Sequence, residues 1–304
     1  MNSVLVLMST YNGEKYIREQ LDSIIAQENV SVKILIRDDG SKDSTVQIID
    51  EYQKKYPDCI ILEHGNNIGC RDSFLWLMKE AVNNYLDYDY YAFSDQDDIW
   101  LKRKLYAGTL ALQKSDSQYK LYFSEYKLVN PQLRPLGKKT YKYKYTLGEA
   151  FMTQPCIGCS MMFNYDLLKE ASLAKTSLFN YHDAWMYELA MTLGCDLLTE
   201  SKEYMLYRQH NNNVVGNHQT FTDRWKRRFH QFFHTDNRRS RLAQYILDNY
   251  ENIIPERQKA ILTNICSYRT SIMSKIKLLT NSEYTSGKSI HNLLFKIAVI
   301  TNKI

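Results

Sequence analysis

The chain has 304 residues, 44% of them hydrophobic and 24% charged, with a formal net charge of +5. That is an ordinary globular composition, sufficient for one full core and a smaller appendage. No uninterrupted apolar run reaches the ~20 residues of a bilayer span, and the six cysteines lack the spacing of a disulfide framework. With no Lys/Arg-plus-apolar leader before the first strand, the expectation is a reducing, cytosolic compartment.

Charge is unevenly placed. Residues 217–304 carry 15 Lys/Arg against 6 Asp/Glu, or +9, whereas residues 1–216 carry 24 against 28, or −4. Tyrosine is unusually frequent, at 24 residues, and a ring with a polar tip suits sugar and base stacking as well as half-wet surfaces.

Val4-Leu5-Val6-Leu7-Met8 is apolar without alternation, as expected for a strand buried on both faces of a parallel sheet. Ser9 to Glu14 then supplies turn and N-cap residues before a helix whose Ile17, Leu21, Ile24 and Ile25 share a face. The pattern repeats with the strand Val32–Arg37, the loop Asp38-Asp39-Gly40-Ser41 and a helix carrying Val46, Ile48, Ile49 and Tyr52. It repeats again with Cys59–Leu62, the loop Gly65–Gly69 and a helix containing Phe74, Leu75, Leu77 and Met78. A fourth apolar run, Tyr90–Phe93, ends in Ser94-Asp95-Gln96-Asp97-Asp98-Ile99-Trp100.

Strands alternating with helices predict an open, mostly parallel α/β sheet with helices on both faces, in which ligands bind at the carboxyl ends of the strands. That rule places four polar loops along one sheet edge. Three carboxylates within four residues, Asp95, Asp97 and Asp98, repel one another. A divalent cation completing its shell with phosphate oxygens relieves that repulsion, whereas an isolated Asp-x-Asp also reads as a solvated acidic turn.

Further along, the spacing predicts a helix from about Leu101 to Gln113, a strand Lys120–Phe123, a turn over Asn130–Gly137, a strand Ile157–Phe163 and a short helix Asp166–Ala171. Lys138 to Lys144 alternates Lys with Tyr or Thr, which fits either an edge-protecting strand or a contact with an anionic substrate. Cys156-Ile-Gly-Cys159 has metal or redox spacing, but it runs into Met161-Met162-Phe163 without a second Cys pair or histidines, so buried strand thiols are expected. Tyr181-His182-Asp183-Ala184-Trp185 opens a helix in which Asp183 is either a cap or a functional carboxylate. Tyr204–His210 reads as the last strand of the body.

The tail differs in kind. Arg224 to Phe233 mixes cations with Trp225, Phe229, Phe232 and Phe233 at helical spacing, a composition suited to an anionic membrane surface or to packing on the body. Further helical patterns cover Leu242–Tyr250, Pro255–Leu279 and Ile290–Ile304.

Taken together, Ser9-Thr10-Tyr11-Asn12-Gly13-Glu14, Arg37-Asp38-Asp39-Gly40-Ser41, Asn67-Ile68-Gly69, Ser94 to Trp100, His182-Asp183 and Tyr207-Arg208-Gln209-His210 resemble family 2 inverting glycosyltransferases of the GT-A fold, most closely the bacterial rhamnosyltransferase-like members that build cell-wall or capsular polysaccharide. The resemblance covers residues 1–216, which it implies form the catalytic domain, leaving 217–304 as a basic helical C-terminal region.

It implies that Thr10, Tyr11, Asn12, Glu14, Asp38, Asp39, Asn67, Arg71, Asp95 and Gln96 serve the nucleotide and donor. Asp97, Asp95 and His210 would hold a divalent metal, Mg2+ or Mn2+. Asp183 would be the catalytic base, although His182 stands where many members have the first of two acidic residues. Asp98, Trp100, His182, Trp185 and Arg208 would shape the acceptor and sugar pocket.

The implied donor is a nucleotide-diphosphate sugar, dTDP-rhamnose ahead of UDP-sugars, and the implied acceptor a glycan or lipid-linked oligosaccharide. The resemblance does not reach the tail, whose basic amphipathic composition gives the expectation of peripheral contact with the inner membrane face, with no nucleic acid partner and room for a homodimer. Two alternatives are a non-catalytic nucleotide-sugar binding protein and a nucleotidyltransferase. The latter would open with a Gly-rich cationic phosphate loop, and Ser9 to Glu14 has one Gly and no Arg.

Overall fold

A computed structural model describes residues 1–137, 142–175, 178–210 and 237–304. The basic aromatic stretch 224–233, the polar cluster 211–213 and the expected domain boundary at 216 lie outside the described residues.

The first half follows the expected alternation: β1 (Asn2–Thr10), α1 (Ile17–Ile25), β2 (Val30–Asp38), α2 (Thr45–Lys55), β3 (Ile60–His64), α3 (Cys70–Asn84) and β4 (Tyr90–Ser94). These strands pair in parallel in the order β3-β2-β1-β4, with Thr10 opposite Asp38, Asp38 opposite His64 and Met8 opposite Ser94. Their carboxyl ends therefore share one edge.

The unalternating apolar runs have a direct cause. Leu5, Leu7, Leu35, Tyr91 and Phe93 face one hydrophobic cluster, while Val4, Val6, Met8, Ile34, Ile36 and Ala92 face another. The second cluster is covered by α1 through Ile17, Leu21 and Ile24 and by α2 through Ile48 and Ile49. The first is covered by α3 through Phe74, Leu77 and Met78. Each buried Leu, Ile, Phe or Met contributes about 1.5–3 kcal/mol, so neither face tolerates a polar residue.

Beyond β4 the sheet becomes mixed and reaches eight strands, in the order β3-β2-β1-β4-β7-β6-β8-β5. Here β5 is Ile99–Trp100, β6 Lys120–Val129, β7 Met161–Phe163 and β8 Asp196–Arg208. Short β7 runs antiparallel to both β4 and β6. The helix expected from Leu101 begins instead at Lys104, as α4 (Lys104–Leu112), because Ile99 and Trp100 pair antiparallel with Leu206 and Met205 of β8. The strand expected over Ile157–Phe163 is half 3-10 turn, Gly158–Ser160, and half β7. Cys156 and Cys159 accordingly sit buried before β7 rather than within it.

Three helices follow around β7 and β8: α5 (Leu147–Ala150), α6 (Tyr165–Ser172) and α7 (His182–Thr192). The C-terminal residues form α8 (Arg238–Tyr250), α9 (Glu256–Ser267), α10 (Ile272–Thr280) and α11 (Ser289–Ile300). The single helical pattern expected over 255–279 is split because Ser271 Oγ accepts a hydrogen bond from Ser274 N and caps a new helix. Leu242, Ile246, Leu262, Leu278, Phe295 and Val299 join the same apolar cluster as α3, α6 and α7, so these helices share a core with the sheet.

Among the polar contacts that fasten them, one is made by buried Glu149. It accepts Lys144 N and Tyr145 N on Oε2 and, across the chain, Gly287 N on Oε1. Replacing Glu149 with Ala is expected to lower the unfolding free energy by about 3 kcal/mol, because each orphaned buried donor costs on the order of 1–3 kcal/mol. Urea denaturation reads this. A loss inside the ~0.5 kcal/mol scatter of surface substitutions would show that the contact does not fasten the C-terminal helices.

Candidate active site

The polar loops at the sheet edge are knitted to one another before they face any ligand. Asp38 is buried; its Oδ2 accepts the Thr10 and Ser41 hydroxyls, and its Oδ1 accepts the amides of Gly40 and Ser41. Asp39 receives the Arg37 guanidinium at 2.5 Å, with Ile68 N at 2.9 Å and Gly69 N at 2.8 Å, and thereby fixes the loop entering α3. Gln96 clamps the Tyr11 backbone from both sides, accepting from its N–H at 2.9 Å and donating to its carbonyl at 3.0 Å. Gly13 allows this approach, since a Cβ there would lie 2.3 Å from Gln96 Oε1.

A cavity of about 1500 Å³ opens on this edge. Of the residues the sequence singled out, Tyr11, Asp39, Asn67, Asp95, Gln96, Asp97, His182 and Asp183 line it. Thr10, Asn12, Glu14 and Asp38 are not among the lining residues and cross-link the loops: Asn12 Oδ1 accepts Lys42 N and Glu14 Oε2 accepts Ser44 N. Arg71 is turned to Asp72, which it meets at 2.8 and 2.9 Å, and is not among the lining residues, contrary to the expected position beside a diphosphate.

The tryptophans correct the sequence reading as well. Trp100 is buried beneath the Lys104 ammonium, 3.7 Å from its ring centroid, and Trp185 is buried against Phe179 with its indole N–H on the Ala171 carbonyl. Both are core residues.

The acidic stretch after β4 divides by position. Asp98 is wholly buried, its Oδ1 accepting Arg208 N at 3.1 Å and its Oδ2 meeting no partner, so it does not shape a sugar pocket. Asp97 keeps 13% of its side chain accessible, and its Oδ2 lies 2.7 Å from His210 Nε2. Arg208 does not face the cavity either. It donates to the carbonyls of Asp97 and Pro131, pairs with Glu19 at 2.5 Å and lies 4.4 Å over the Tyr16 ring, which fixes the turn that presents Asp97.

Burial first, and the charge of Asp97 second, push the Asp95 carboxyl up to about 7, opposed by a hydrogen bond with the Cys159 thiol. The same two causes, in the same order, raise Asp98 well above the carboxylate range.

Asp95 and Asp97 line the cavity, with the His210 imidazole beside Asp97, and are of residue types that Mg2+ or Mn2+ takes as ligands. Asp95 also belongs to a tighter group with Asp98 and Cys159, whose ligand atoms lie within 4.8 Å of one another. That group fits less well. Burial and the nearby carboxylates hold the Cys159 thiol well above its ordinary value, so it stays protonated, and sulfur is a poor partner for a hard cation.

Asp183 stands in the first turn of α7 without capping it in the usual way. Its Oδ2 accepts Gln154 Nε2 at 3.0 Å and Gly158 N at 3.2 Å, and its Oδ1 accepts Ala184 N at 2.7 Å. Burial raises its proton affinity, and these hydrogen bonds only partly offset the rise. Neighbouring His182 is a packed, neutral ring, stacked on Phe74 at 3.7 Å and pushed by burial down to about 3.

Cys70, opening α3, shows how the carboxylates converge. Desolvation and the charges of Asp95, Asp183, Asp39 and Asp97, in that order, push its thiol up to about 12. Gln154 and Gly158, which hold Asp183, were not singled out from the sequence. An amide and a glycine in an irregular loop carry no periodic signal.

A family model described as "Glycosyl transferase family 2" matches residues 5–171. The chain is 35% identical over 231 residues to the dTDP-rhamnosyl transferase RfbG of Shigella flexneri, covering 72% of this chain and 77% of that protein. An uncharacterized glycosyltransferase of Rickettsia typhi is 26% identical over 186 residues, 59% of this chain and 56% of its own length.

Among solved structures, S. aureus TarS in complex with UDP-GlcNAc superposes with a TM-score of 0.58 at 17% identity, over 100% of this chain and 80% of that one. A mannosyltransferase from Pyrobaculum calidifontis in complex with GDP-Man and Mn2+ does so with a TM-score of 0.54 at 14% identity, over 99% and 86%. At these identities the structural matches establish the shared GT-A glycosyltransferase fold.

The raised Asp183 sets a signed expectation. A carboxyl whose folded pKa exceeds its unfolded value costs no stability while protonated in both states, and costs progressively more as pH rises from the unfolded towards the folded pKa. Wild type should therefore lose thermal stability relative to Asp183→Asn as pH climbs through the carboxylate range. Parallel melting curves from pH 4 to 8 test this, and a difference independent of pH would contradict the burial argument.

Proposed function

Since the chain belongs to glycosyltransferase family 2, we propose that it is an inverting, metal-dependent transferase that moves rhamnose from dTDP-rhamnose to a glycan or lipid-linked acceptor in cell-wall or capsular polysaccharide synthesis. The observation carrying this reading is that Asp183, a carboxylate of raised proton affinity, shares one cavity with Asp39, Asp95 and Asp97. The rhamnosyl donor is favoured by the similarity to RfbG over most of both chains.

In this reading Tyr11, Asp39 and Asn67 receive the nucleotide, with Gln96 holding the Tyr11 backbone in place. Asp95, Asp97 and His210 hold the divalent cation, and Arg208 fixes the turn on which Asp97 sits. When bound, such a cation supplies Lewis-acid stabilisation of the leaving diphosphate. Inversion in one displacement needs a single base on the acceptor side.

Asp183 fills that role. Its raised proton affinity strengthens it as a proton acceptor, and Gln154 and the Gly158 amide fix its orientation. Oδ1, which accepts one described bond, takes the proton of the attacking hydroxyl. His182 stays neutral and holds the start of α7 against Phe74 and Phe93.

No helix among the described residues is long and apolar enough to cross a membrane. The +9 balance of residues 217–304 supports peripheral attachment to an anionic inner membrane face, where a lipid-linked acceptor is presented.

Purified protein offered dTDP-rhamnose and UDP-hexoses with Mg2+ or Mn2+ should release dTDP fastest. Asp183→Asn should lower kcat by roughly 10² to 10⁴-fold while leaving nucleotide affinity unchanged. Asp97→Ala should abolish the metal-dependent part of nucleotide binding. Because the base acts ionised, the acid limb of kcat/KM should fall above the ordinary carboxylate range. A fully active Asp183→Asn enzyme, or metal-dependent nucleotide affinity undiminished in Asp97→Ala, would remove the basis of the assignment.

A further inference from the structure

Part of the cavity wall is not used by the reaction described above. It includes Glu188 of α7, Arg238 and Arg239 at the start of α8, and Leu242 of α8 with Leu294 and Phe295 of α11. Glu188 comes from the body and the others from the C-terminal helices, and this part of the same cavity is called the lobe.

The two arginines are costly where they stand. A helix start is the positive end of the macrodipole, the first turn of α8 carries no acidic residue, and Asn237 makes no side-chain capping bond. Burial disfavours the charge on both guanidinium groups. Each is anchored through Nε to a backbone carbonyl, Arg238 to that of Leu178 and Arg239 to that of Phe151.

Glu188 is a poor counterion. Its Oε2 is buried without a hydrogen-bond partner, and burial pushes its carboxyl up to about 7 although both arginines pull it down. Two guanidinium groups thus line the wall beside one carboxyl whose Oε2 makes no hydrogen bond. Neighbouring guanidinium groups suit an anionic ligand, and their donor forks match phosphoryl oxygens.

We propose that this lobe is the acceptor's anchoring subsite, seating a phosphate between Arg238 and Arg239 and the apolar chain that carries it on Leu242, Leu294 and Phe295. The charge pattern selects the phosphate and the adjoining apolar wall selects a phosphate borne on an alkyl chain over a free one. The assignment to the acceptor rests on the reading of Asp183 as the acceptor-side base, because Glu188 feels the charge of Asp183 along the same helix.

Calorimetric titration of the full chain in EDTA, where no cation can hold a phosphate at Asp95 and Asp97, isolates the lobe. The probes are decyl phosphate, inorganic phosphate and neutral decyl maltoside. Decyl phosphate should bind more tightly than the other two. Arg238→Gln and Arg239→Gln should each weaken it about tenfold, the size of one charge-assisted hydrogen bond.

Glu188→Gln, which removes the competing negative charge, should tighten it, and this variant decides the matter if an arginine variant fails to fold. Equal binding across wild type and all variants, equal binding of decyl maltoside, or weaker binding in Glu188→Gln would each overturn the proposal. Inorganic phosphate matching decyl phosphate would overturn its apolar half. If the decyl phosphate pattern holds while Asp183→Asn retains full transfer, the lobe stands and the base assignment falls.

Discussion

Mutual repulsion among Asp95, Asp97 and Asp98 is the constraint around which the site is built. The fold holds this stretch in place mainly through one arginine. Arg208 closes β8, is buried, and ties together the Asp97 carbonyl, the Pro131 carbonyl, Glu19 of α1 and the face of Tyr16, while its own amide serves Asp98. A guanidinium suits this because its donors fan out in one plane, so several elements are locked by a single side chain. The guanidinium reaches the Asp97 carbonyl and not its carboxylate, which instead meets His210 Nε2 and, with Asp95, borders the cavity. Structural compensation and ligand demand are thereby separated by a few ångströms.

The same separation recurs at the other loops. Asp38 and Asp39 are adjacent in sequence, yet Asp38 spends both oxygens on Thr10, Gly40 and Ser41 inside the loop, whereas Asp39 holds the entrance to α3 and still borders the cavity. Because β1, β2 and β4 end in register, a change in one loop is felt by its neighbours through these cross-links. This edge of the cavity is accordingly cross-linked before any ligand arrives, which lowers the ordering cost of binding.

How much of this was legible from sequence follows from what each signal measures. Strands buried on both faces announce themselves through runs such as Val4 to Met8, so the parallel half of the sheet and its shared edge could be read directly. β5 could not, because two residues carry no period and Ile99 and Trp100 are strand only through their partners on β8. Among site residues, position along the edge was readable, but the direction of a side chain was not. Arg71 is claimed by Asp72, Trp100 by Lys104 and Trp185 by Phe179, and each contact depends on packing that residue type alone does not encode. Arg238 and Arg239 carried no site signal for a related reason: a charged tail reads as a solvated or membrane-facing surface until its apolar residues are seen to join the central core.

That last point separates the two halves of the cavity by origin. The family model spans residues 5–171, which include every lining residue contributed by the parallel half of the sheet and the acidic turn after β4. Asp183, Glu188 and the α8 arginines lie beyond it. A nucleotide diphosphate and its cation impose one set of chemical demands on any sheet that grips them, so that wall can remain similar across relatives that act on different acceptors. The opposite demand applies to residues that would meet the acceptor, and on the reading proposed above these are supplied by helices packed onto the body after the sheet is complete. On this view the C-terminal helices are a working part of the site. They share a hydrophobic core with α3, α6 and α7, which fixes the arginines at the start of α8 against the body.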